Sequence, residues 1–185
     1  MNLSARREGA SVLGRDNKWD TFSGISAGWV LSKEEFLIDN DAIQYLKLRG
    51  GYGITGNQES LSPYQSLATM GPYFGGSHNV FFGEPGSGSW IQPYGPTINP
   101  NPHLQWETKK ELNIGLDFAL FEYGWLNGSI DYYHRKIENL VGNYTAQVPS
   151  QIMPDIFANA GSMENEGFEL ALNAQLVNND KFRWD

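Results

Sequence analysis

The chain contains no cysteine among its 185 residues. A disulfide framework and a thiolate metal site are therefore excluded, whereas the cellular compartment stays open. The chain also lacks an uninterrupted apolar run of about eighteen residues, so no transmembrane helix is expected. Its first residues, MNLSARREG, lack the apolar segment of a secretory signal peptide, and none is expected.

Positive charge is scarce. The 13 Lys and Arg residues are outnumbered by 21 Asp and Glu residues, which gives a formal net charge of −8. The basic residues are scattered along the chain, whereas binding to nucleic acid phosphates requires clusters of them. We therefore expect no nucleic-acid partner.

Glycine and aromatic residues are abundant, with 21 glycines and 14% Phe, Trp and Tyr. This mixture favours strands joined by turns over helices. The hydrophobic fraction of 40% does not decide between a soluble and a membrane protein. A transmembrane barrel carries its lipid-facing side chains at alternate positions, so its average hydrophobicity stays low.

Residues 106–120, WETKKELNIGLDFAL, alternate between two kinds of side chain. The apolar set contains Leu112, Ile114, Leu116, Phe118 and Leu120, and the intervening set is polar or small. In a helix these apolar residues would spread around the cylinder, so the period of two predicts a β-strand. Its length exceeds the roughly 9–11 residues that cross a bilayer, which predicts an outer-membrane barrel strand.

The alternation recurs in other segments. We predict strands at residues 22–31, 46–54, 125–138 and 163–177, and the start of another at 181–185 after a polar turn at 178–180. Residues 2–7 are too short to be assigned from their pattern. Ser32, followed by Glu35, predicts the capping box of one helical turn. The predicted fold is all-β, an antiparallel meander of about six long strands from a large transmembrane β-barrel.

Two long connections show no period, at residues 55–105 and 140–162, whereas those after residues 120 and 177 are short. Outer-membrane barrels place long loops outside the cell and short turns in the periplasm. Strands 46–54 and 125–138 are therefore expected to run outward, and strands 106–120 and 163–177 inward. In this orientation an aromatic girdle is expected at the periplasmic rim. It contains Phe118, Phe121, Tyr123 and Trp125.

Sequence motifs for catalysis or cofactor binding occur in contexts that contradict them. GYGITG at residues 51–56 has the spacing of a dinucleotide-binding loop, but Pro63 interrupts the helix that should follow. GISAG at residues 24–28 resembles a nucleophile elbow, but the strand alternation continues straight through Ser26. No catalytic or cofactor-binding residue is assigned, and we expect no cofactor and no enzymatic activity.

Histidines and acid pairs also have ordinary interpretations. The spacing of His78, His103 and His134 matches no metal motif, so no metal site is assigned. The pairs Glu107/Glu111 and Glu164/Glu166 have the separation of a glycosidase dyad. A strand offers both members of a pair the same environment, so nothing separates their pKa values, and we interpret all four as solvated residues of the lumen.

Aromatic residues of the first long loop leave two interpretations open. Tyr73, Phe74, Trp90 and Tyr94 either stack on a ligand or anchor a protein lid, or they pack the loop against the barrel rim. The sequence does not distinguish ligand contact from packing.

Residues 17–36, 46–58, 101–121 and 165–177 resemble the barrel of the SusC/RagA-type TonB-linked outer-membrane proteins. Their sequences are NKWDTFSGISAGWVLSKEEF, LKLRGGYGITGNQ, NPHLQWETKKELNIGLDFALF and NEGFELALNAQLV. GSIDYYHRKIENLV at residues 128–141 is similar to the family's strand between the last two. The resemblance runs along the whole chain, in order.

The resemblance implies a barrel of about twenty-two strands around an N-terminal plug. It implies import of glycans or peptides, with a SusD-like surface lipoprotein as a lid and with contact to the TonB complex through the plug. On this interpretation residues 1–185 are a partial barrel domain in the cell outer membrane, facing its lipid, without the plug and the C-terminal strands. The alternative is a soluble β-sandwich carbohydrate-binding module, since a sandwich also alternates apolar and polar residues.

Overall fold

The computed structural model describes residues 1–72, 79–121, 125–147 and 153–175, together with the backbone of 177–179 and 182–184. Its strands, in chain order, are β1 Asn2–Gly9, β2 Trp19–Val30, β3 Ile43–Asn57, β4 Met70–Pro72, β5 Val80–Phe82, β6 Ser89–Ile91, β7 Tyr94–Pro96, β8 Glu107–Leu120, β9 Leu126–Glu138, β10 Val141–Thr145, β11 Asp155–Asn159, β12 Ser162–Ala174, β13 Val177–Asn179 and β14 Phe182–Trp184. Within this part of the chain, no helix is long and apolar enough to cross a membrane.

Six strands form one antiparallel sheet, in the order β1, β2, β3, β8, β9 and β12. Five of these contain between 12 and 15 residues, which is more than the roughly 9–11 needed to cross a bilayer. The predicted meander of about six long strands is confirmed.

The register places side chains of one kind in continuous rows across the sheet. Trp29, Leu48, Leu116, Ile130 and Leu170 lie side by side on five neighbouring strands. One residue further along, the row contains Gly28, Arg49, Gly115, Asp131 and Glu169 on the opposite face. The sheet therefore has one apolar face and one charged face.

The apolar face is not covered by a second layer in the described part of the chain. Leu48, Ile130 and Leu170 remain 41%, 44% and 63% exposed. The remaining strands form separate two-stranded ladders of three to five residues, whereas a sandwich needs a second sheet of comparable size. The β-sandwich alternative is therefore wrong, and the exposed apolar face is that of a barrel wall that contacts lipid.

A small core lies at the end of the sheet from which the long loops leave, which we call the loop end. It brings together residues from two connections, 10–18 and 58–106, and from β2, namely Ala10, Leu13, Phe22, Leu61, Leu104 and Trp106. The Trp106 ring meets the Phe22 ring edge-on at 5.3 Å between centroids. Trp106 was predicted to open the long strand, but β8 begins at Glu107, and Trp106 is 4% exposed within this core.

The long loops contain more strand than their sequences predict. In the first loop, β4 pairs with β7, and β5 pairs with β6. In the second, β10 and β11 continue the β9 and β12 ladder in the same register, after a break where Asn139 and Gly161 have positive φ angles. Runs of three to five residues are too short to show a period, so these ladders were not predicted.

Two local predictions need correction. The chain forms a 3₁₀ turn at Leu31–Lys33, and its N-cap, Val30, makes no side-chain hydrogen bond, so the capping box at Ser32 is wrong. The indole of Trp29 instead donates to Glu34 Oε1 at 2.7 Å. This hydrogen bond links the end of β2 to the residue that follows the turn. Near the C-terminus, the predicted turn at 178–180 lies partly within β13, which pairs with β14, while residues 180 and 181 lie outside the described residues.

Candidate functional site

The charged face of the sheet carries an ion-pair network in its middle. The Arg49 guanidinium of β3 donates through Nε to Asp117 Oδ1 of β8 at 3.0 Å, and through Nη2 to Asp131 Oδ2 of β9 at 2.8 Å. The same Nη2 lies 2.6 Å from Asp131 Oδ1, although the hydrogen-bond geometry is satisfied only at Oδ2. Nη1 donates to Asn113 at 3.4 Å. One arginine thus links three strands on the charged face of the sheet.

Gly115 makes this network possible. It lies between Arg49 and Asp131 in the cross-strand row, so the arginine must pass over it to reach the aspartate two strands away. A Cβ atom at Gly115 would lie 2.6 Å from Arg49 Cζ, which is well inside van der Waals contact. The absent side chain therefore provides the space that the guanidinium occupies.

Closer to the loop end, the charged face borders a shallow recess. Arg135 of β9 donates to Glu111 of β8 at 3.1 Å, and Lys109 lies 2.7 Å from the same carboxylate. Beside Lys109 and Glu111, β1 to β3 present mostly small side chains, and together these residues border a recess of about 330 Å³. The recess-lining small residues are Ser4, Gly24, Ser26, Gly51 and Gly53. This face offers charged and hydrogen-bonding groups to a water-filled lumen.

The motifs that mimic enzyme sites lie in regular strand. Ser26 is paired with Asn2 on one side and with Gly51 on the other, so there is no sharp turn to expose its hydroxyl as a nucleophile. Residues 51–56 are all within β3 and precede no helix. Both motifs are therefore wall segments of the barrel.

The two acid pairs lie on opposite faces of the sheet. Glu107 and Glu111 lie on the charged face, whereas Glu164 and Glu166 lie on the apolar face near the loop end, so the lumen prediction is wrong for Glu164 and Glu166. Glu107 accepts from Asn57 at 3.1 Å, whereas Glu111 accepts from Arg135. Glu164 lies 2.6 Å from His134, and Glu166 accepts from the Tyr132 hydroxyl at 3.0 Å. His103 contributes backbone groups to the loop end, and His78 lies outside the described residues.

The apolar face ends in charged residues on the loop side and in aromatic residues on the other. Lys110 and Lys136 lie directly opposite each other, and both donate to Glu138, which offsets their repulsion. At the far end, the rings of Phe121 and Trp125 stack at 5.1 Å. These two residues and Phe118 lie where the aromatic girdle was predicted, whereas Tyr123 is outside the described residues.

Asparagine side chains join the two long loops. Asn99 is 4% exposed; its Nδ2 donates to the carbonyls of Met153 and Asp155 at 2.6 and 2.8 Å, and its Oδ1 accepts from the Met153 amide at 3.0 Å. Asn101 Nδ2 donates to the Phe157 carbonyl at 2.8 Å. We call residues 99–105 the strap.

Proline explains why side chains carry these contacts. Residues 100 and 102 are proline, which has no amide hydrogen, so the strap backbone cannot pair fully with β11 as a strand. The asparagine amides at positions 99 and 101 supply the missing donors. At its far end Asn159 completes the join, accepting from the Gln105 amide at 3.0 Å and donating to the Gln105 carbonyl at 2.8 Å. The Asn-Pro-Asn-Pro spacing at residues 99–102 is the sequence signal for this contact.

The aromatic residues singled out in the first loop lie on its outer ladders. Trp90 in β6 and Tyr94 in β7 are each 68% exposed, and Trp90 meets Phe81 edge-on at 5.4 Å. Tyr73 and Phe74 lie outside the described residues. Contact of these residues with a ligand or a lid stays a prediction, as does the alternative that they pack the loop against the barrel rim.

Together, the long strands, the apolar face and the charged face define a segment of a transmembrane β-barrel wall. The chain belongs to the family described as "TonB dependent receptor-like, beta-barrel", whose match covers residues 1–185. It is thus part of the wall of an outer-membrane barrel.

Individual relatives agree with this assignment. The chain is 35% identical over 184 residues to TonB-dependent receptor P3 of Formosa agariphila, and 34% identical over 188 residues to TonB-dependent receptor SusC of Bacteroides thetaiotaomicron. All of this chain is covered in both matches, but it spans 17% and 18% of those proteins. The structure of the RagAB peptide importer in its closed-closed state shares the fold, with a TM-score of 0.78 over 98% of this chain and 18% of that chain at 22% identity.

The role of Gly115 can be tested in the complete receptor. We expect Gly115→Ala to lower the free energy of unfolding by about 1–3 kcal/mol, because the new methyl group displaces Arg49 from its carboxylates. Gly53→Ala is the matched control on the same face, since a Cβ there meets nothing within 4 Å, and it should stay within about 0.5 kcal/mol of the parent. Denaturant unfolding in detergent measures both. Equal effects of the two substitutions would contradict the proposed packing.

The strap makes a separate prediction. Asn99→Asp keeps an acceptor for the Met153 amide but loses both donated hydrogen bonds and turns a carboxylate toward two carbonyls. Amide hydrogen exchange in β11 should therefore accelerate by about tenfold or more. Asn40→Asp, at the opposite end of the sheet, is the control, because its Oδ1 only accepts a hydrogen bond from Ala42. Unchanged exchange in β11 for Asn99→Asp would show that the strap does not hold the second loop.

Proposed function

We propose that this chain forms wall and external loops of an outer-membrane transporter that imports oligosaccharides or peptides. In this proposal a plug outside residues 1–185 links the barrel to the TonB complex, and a SusD-like surface lipoprotein covers the external side. The names of two relatives support the proposal, since one is SusC and the other is a peptide importer. The plug, the lipoprotein lid and the substrate class are carried over from the resemblance.

The contrast between the two faces of the sheet is the observation that carries this function. Outer-membrane barrels have a lipid-facing apolar band and a polar interior, and a solute pathway needs such polar groups along its wall. The Arg49 network and the Glu111–Arg135 pair lie at successive heights on that wall. Their polar groups would contact water in the pathway, a plug or a passing solute.

The ladders of the first long loop are the proposed contact region for ligand or lid. Trp90 and Tyr94 expose most of their rings, while Phe81 supports Trp90 from the side. Large aromatic side chains that stay exposed on a paired backbone resemble the anchors of binding interfaces. We propose that Tyr73 and Phe74, which lie between β4 and β5 in the sequence, belong to the same region.

The orientation of the sheet follows the loop lengths. Residues 10–18, 58–106 and 139–161 connect strands at the loop end, and residues 31–42 and 121–125 connect them at the other. We propose that the loop end faces the cell exterior, because barrels of this type carry their longer loops there.

Uptake by intact cells tests the proposal. Cells that contain the complete receptor should accumulate members of one class in a panel of labelled oligosaccharides and oligopeptides, and a protonophore should abolish this accumulation. We expect the double variant Trp90→Ala/Tyr94→Ala to reduce uptake by about tenfold or more, because two exposed anchors are lost. Phe36→Ala is the control, since that ring is 67% exposed in the connection at the opposite end.

Two outcomes would contradict separate parts of the proposal. If cells with and without the receptor accumulate every member of the panel equally, the import function is wrong. If import occurs and the Trp90/Tyr94 variant transports as well as the Phe36 variant, the aromatic contact region is wrong while import stands.

A further inference from the structure

One connection at the end of the sheet opposite the loop end is long and held by hydrogen bonds. It consists of residues 31–42, which join β2 to β3, and we call it the rim connection. Ile38 N donates to the Glu34 carbonyl at 2.9 Å, which closes a helical turn inside it. Further on, the Phe121 amide donates to the Ala42 carbonyl at 2.7 Å and joins the rim connection to the end of β8. These bonds fix its shape relative to the sheet.

This shape leaves a large aliphatic side chain uncovered, since Ile38 is 62% exposed. The strands on either side of the rim connection, β2 and β3, are themselves paired with β1 and β8. Another strand of the barrel therefore cannot lie beside the rim connection and cover Ile38. Contact with water is unfavourable for such a side chain, which leaves lipid or a segment outside the barrel wall as its partner.

A side-chain hydrogen bond shows on which side of the wall the turn lies. Trp29, near the end of β2, belongs to the apolar row with Leu48, and its ring is 52% exposed. The Trp29 indole donates to Glu34 Oε1 at 2.7 Å. The side chain that begins the helical turn thus contacts a ring on the lipid side of the wall. Tryptophan rings that combine an apolar body with a hydrogen-bonded N–H are typical of the membrane interface.

Helical spacing separates the two most exposed apolar residues of the turn. Residues four apart lie on the same side of a helical turn, whereas residues two apart do not face each other. Ile38 therefore lies on the side of Glu34 and Trp29. Phe36 is 67% exposed but lies on a different side. The turn thus directs Ile38, rather than Phe36, toward the apolar face of the sheet.

We propose that the rim connection is an interfacial element that rests on the lipid bilayer, with Ile38 inserted among the acyl chains beside Trp29. Glu34 lies at headgroup depth, where the Trp29 indole supplies a donor to a carboxylate that has left bulk water. Acidic residues of the rim connection outnumber its single lysine, so the contact depends on apolar burial and not on attraction to anionic headgroups. Zwitterionic phosphatidylcholine therefore suffices as the lipid.

Fluorescence quenching in the complete receptor tests this contact. The receptor carries one bimane-labelled cysteine, at residue 38 or at residue 36, in phosphatidylcholine vesicles, with its other cysteines replaced. Phosphatidylcholine with a nitroxide on its acyl chain quenches labels in the bilayer, and iodide, equilibrated across the vesicles by freezing and thawing, quenches labels in water. The ratio of lipid to iodide quenching should be about threefold or more higher at residue 38, because the two side chains lie on different sides of the turn.

A substitution tests the hydrogen bond that sets the direction of the turn. Trp29→Phe keeps an aromatic ring on the apolar face but removes the donor to Glu34, so the quenching ratio at residue 38 should fall about twofold or more. Trp19→Phe is the matched control at the loop end, where the ring is 64% exposed, and it should leave the ratio unchanged. The nitroxide lipid is present in both leaflets, so the result does not depend on which end of the sheet faces the exterior.

Four results would overturn the proposal. Quenching at residue 38 by iodide alone would place Ile38 in water, and quenching by neither agent would place it against protein. A ratio at residue 38 no higher than at residue 36, or one that Trp29→Phe leaves unchanged, would contradict the assigned side of the turn. The experiment uses no substrate and no energy source, so each of these results would leave the import function to its own uptake experiment.

Discussion

The register between β3, β8 and β9 is the constraint on which the rest of the sheet depends. It places Arg49, Asp117 and Asp131 on one face and Leu48, Leu116 and Ile130 on the other. A slip by one residue would exchange the faces of a strand. A single Arg or Lys on the lipid face near the midplane costs roughly 2–4 kcal/mol, so a slipped β3 would be strongly disfavoured in the membrane. The ion pairs across Gly115 favour the same register from the inner side, since they form in this alignment.

The loop end is stabilised by different interactions. Along the wall, lipid takes the place of a protein core, and the apolar side chains there remain exposed in the structure. At the loop end, Leu13, Leu104 and Trp106 are buried against one another, and asparagine amides join the strap to β11. The long loops thus carry a small core of their own at the loop end. Trp90 and Tyr94 lie outside this core, in the short ladders of the first long loop.

Long strands were predictable because their period of two extends over many residues and because their length is set by the bilayer. The ion-pair network of Arg49 was only partly predictable. Alternation places Arg49 and Asp117 on inward faces, but their contact depends on the pairing of β3 with β8 across a long loop. The short ladders of the loops and the 3₁₀ turn at Leu31–Lys33 were missed, since a few residues carry no measurable period. The strap shows a further limit, because its asparagines act through partners about fifty residues away.

The alternation of lipid and water along β8 is the central claim, and spin-label accessibility measures it most directly. A nitroxide is placed on a single cysteine at each of residues 111–118 in the complete receptor, in lipid bilayers, with other cysteines replaced. Collision rates with oxygen, which concentrates in lipid, are compared with those of a water-soluble nickel chelate. The account predicts high oxygen accessibility at Leu112, Ile114, Leu116 and Phe118, and high nickel accessibility at the residues between them. A flat profile, or an alternation of opposite phase, would contradict it.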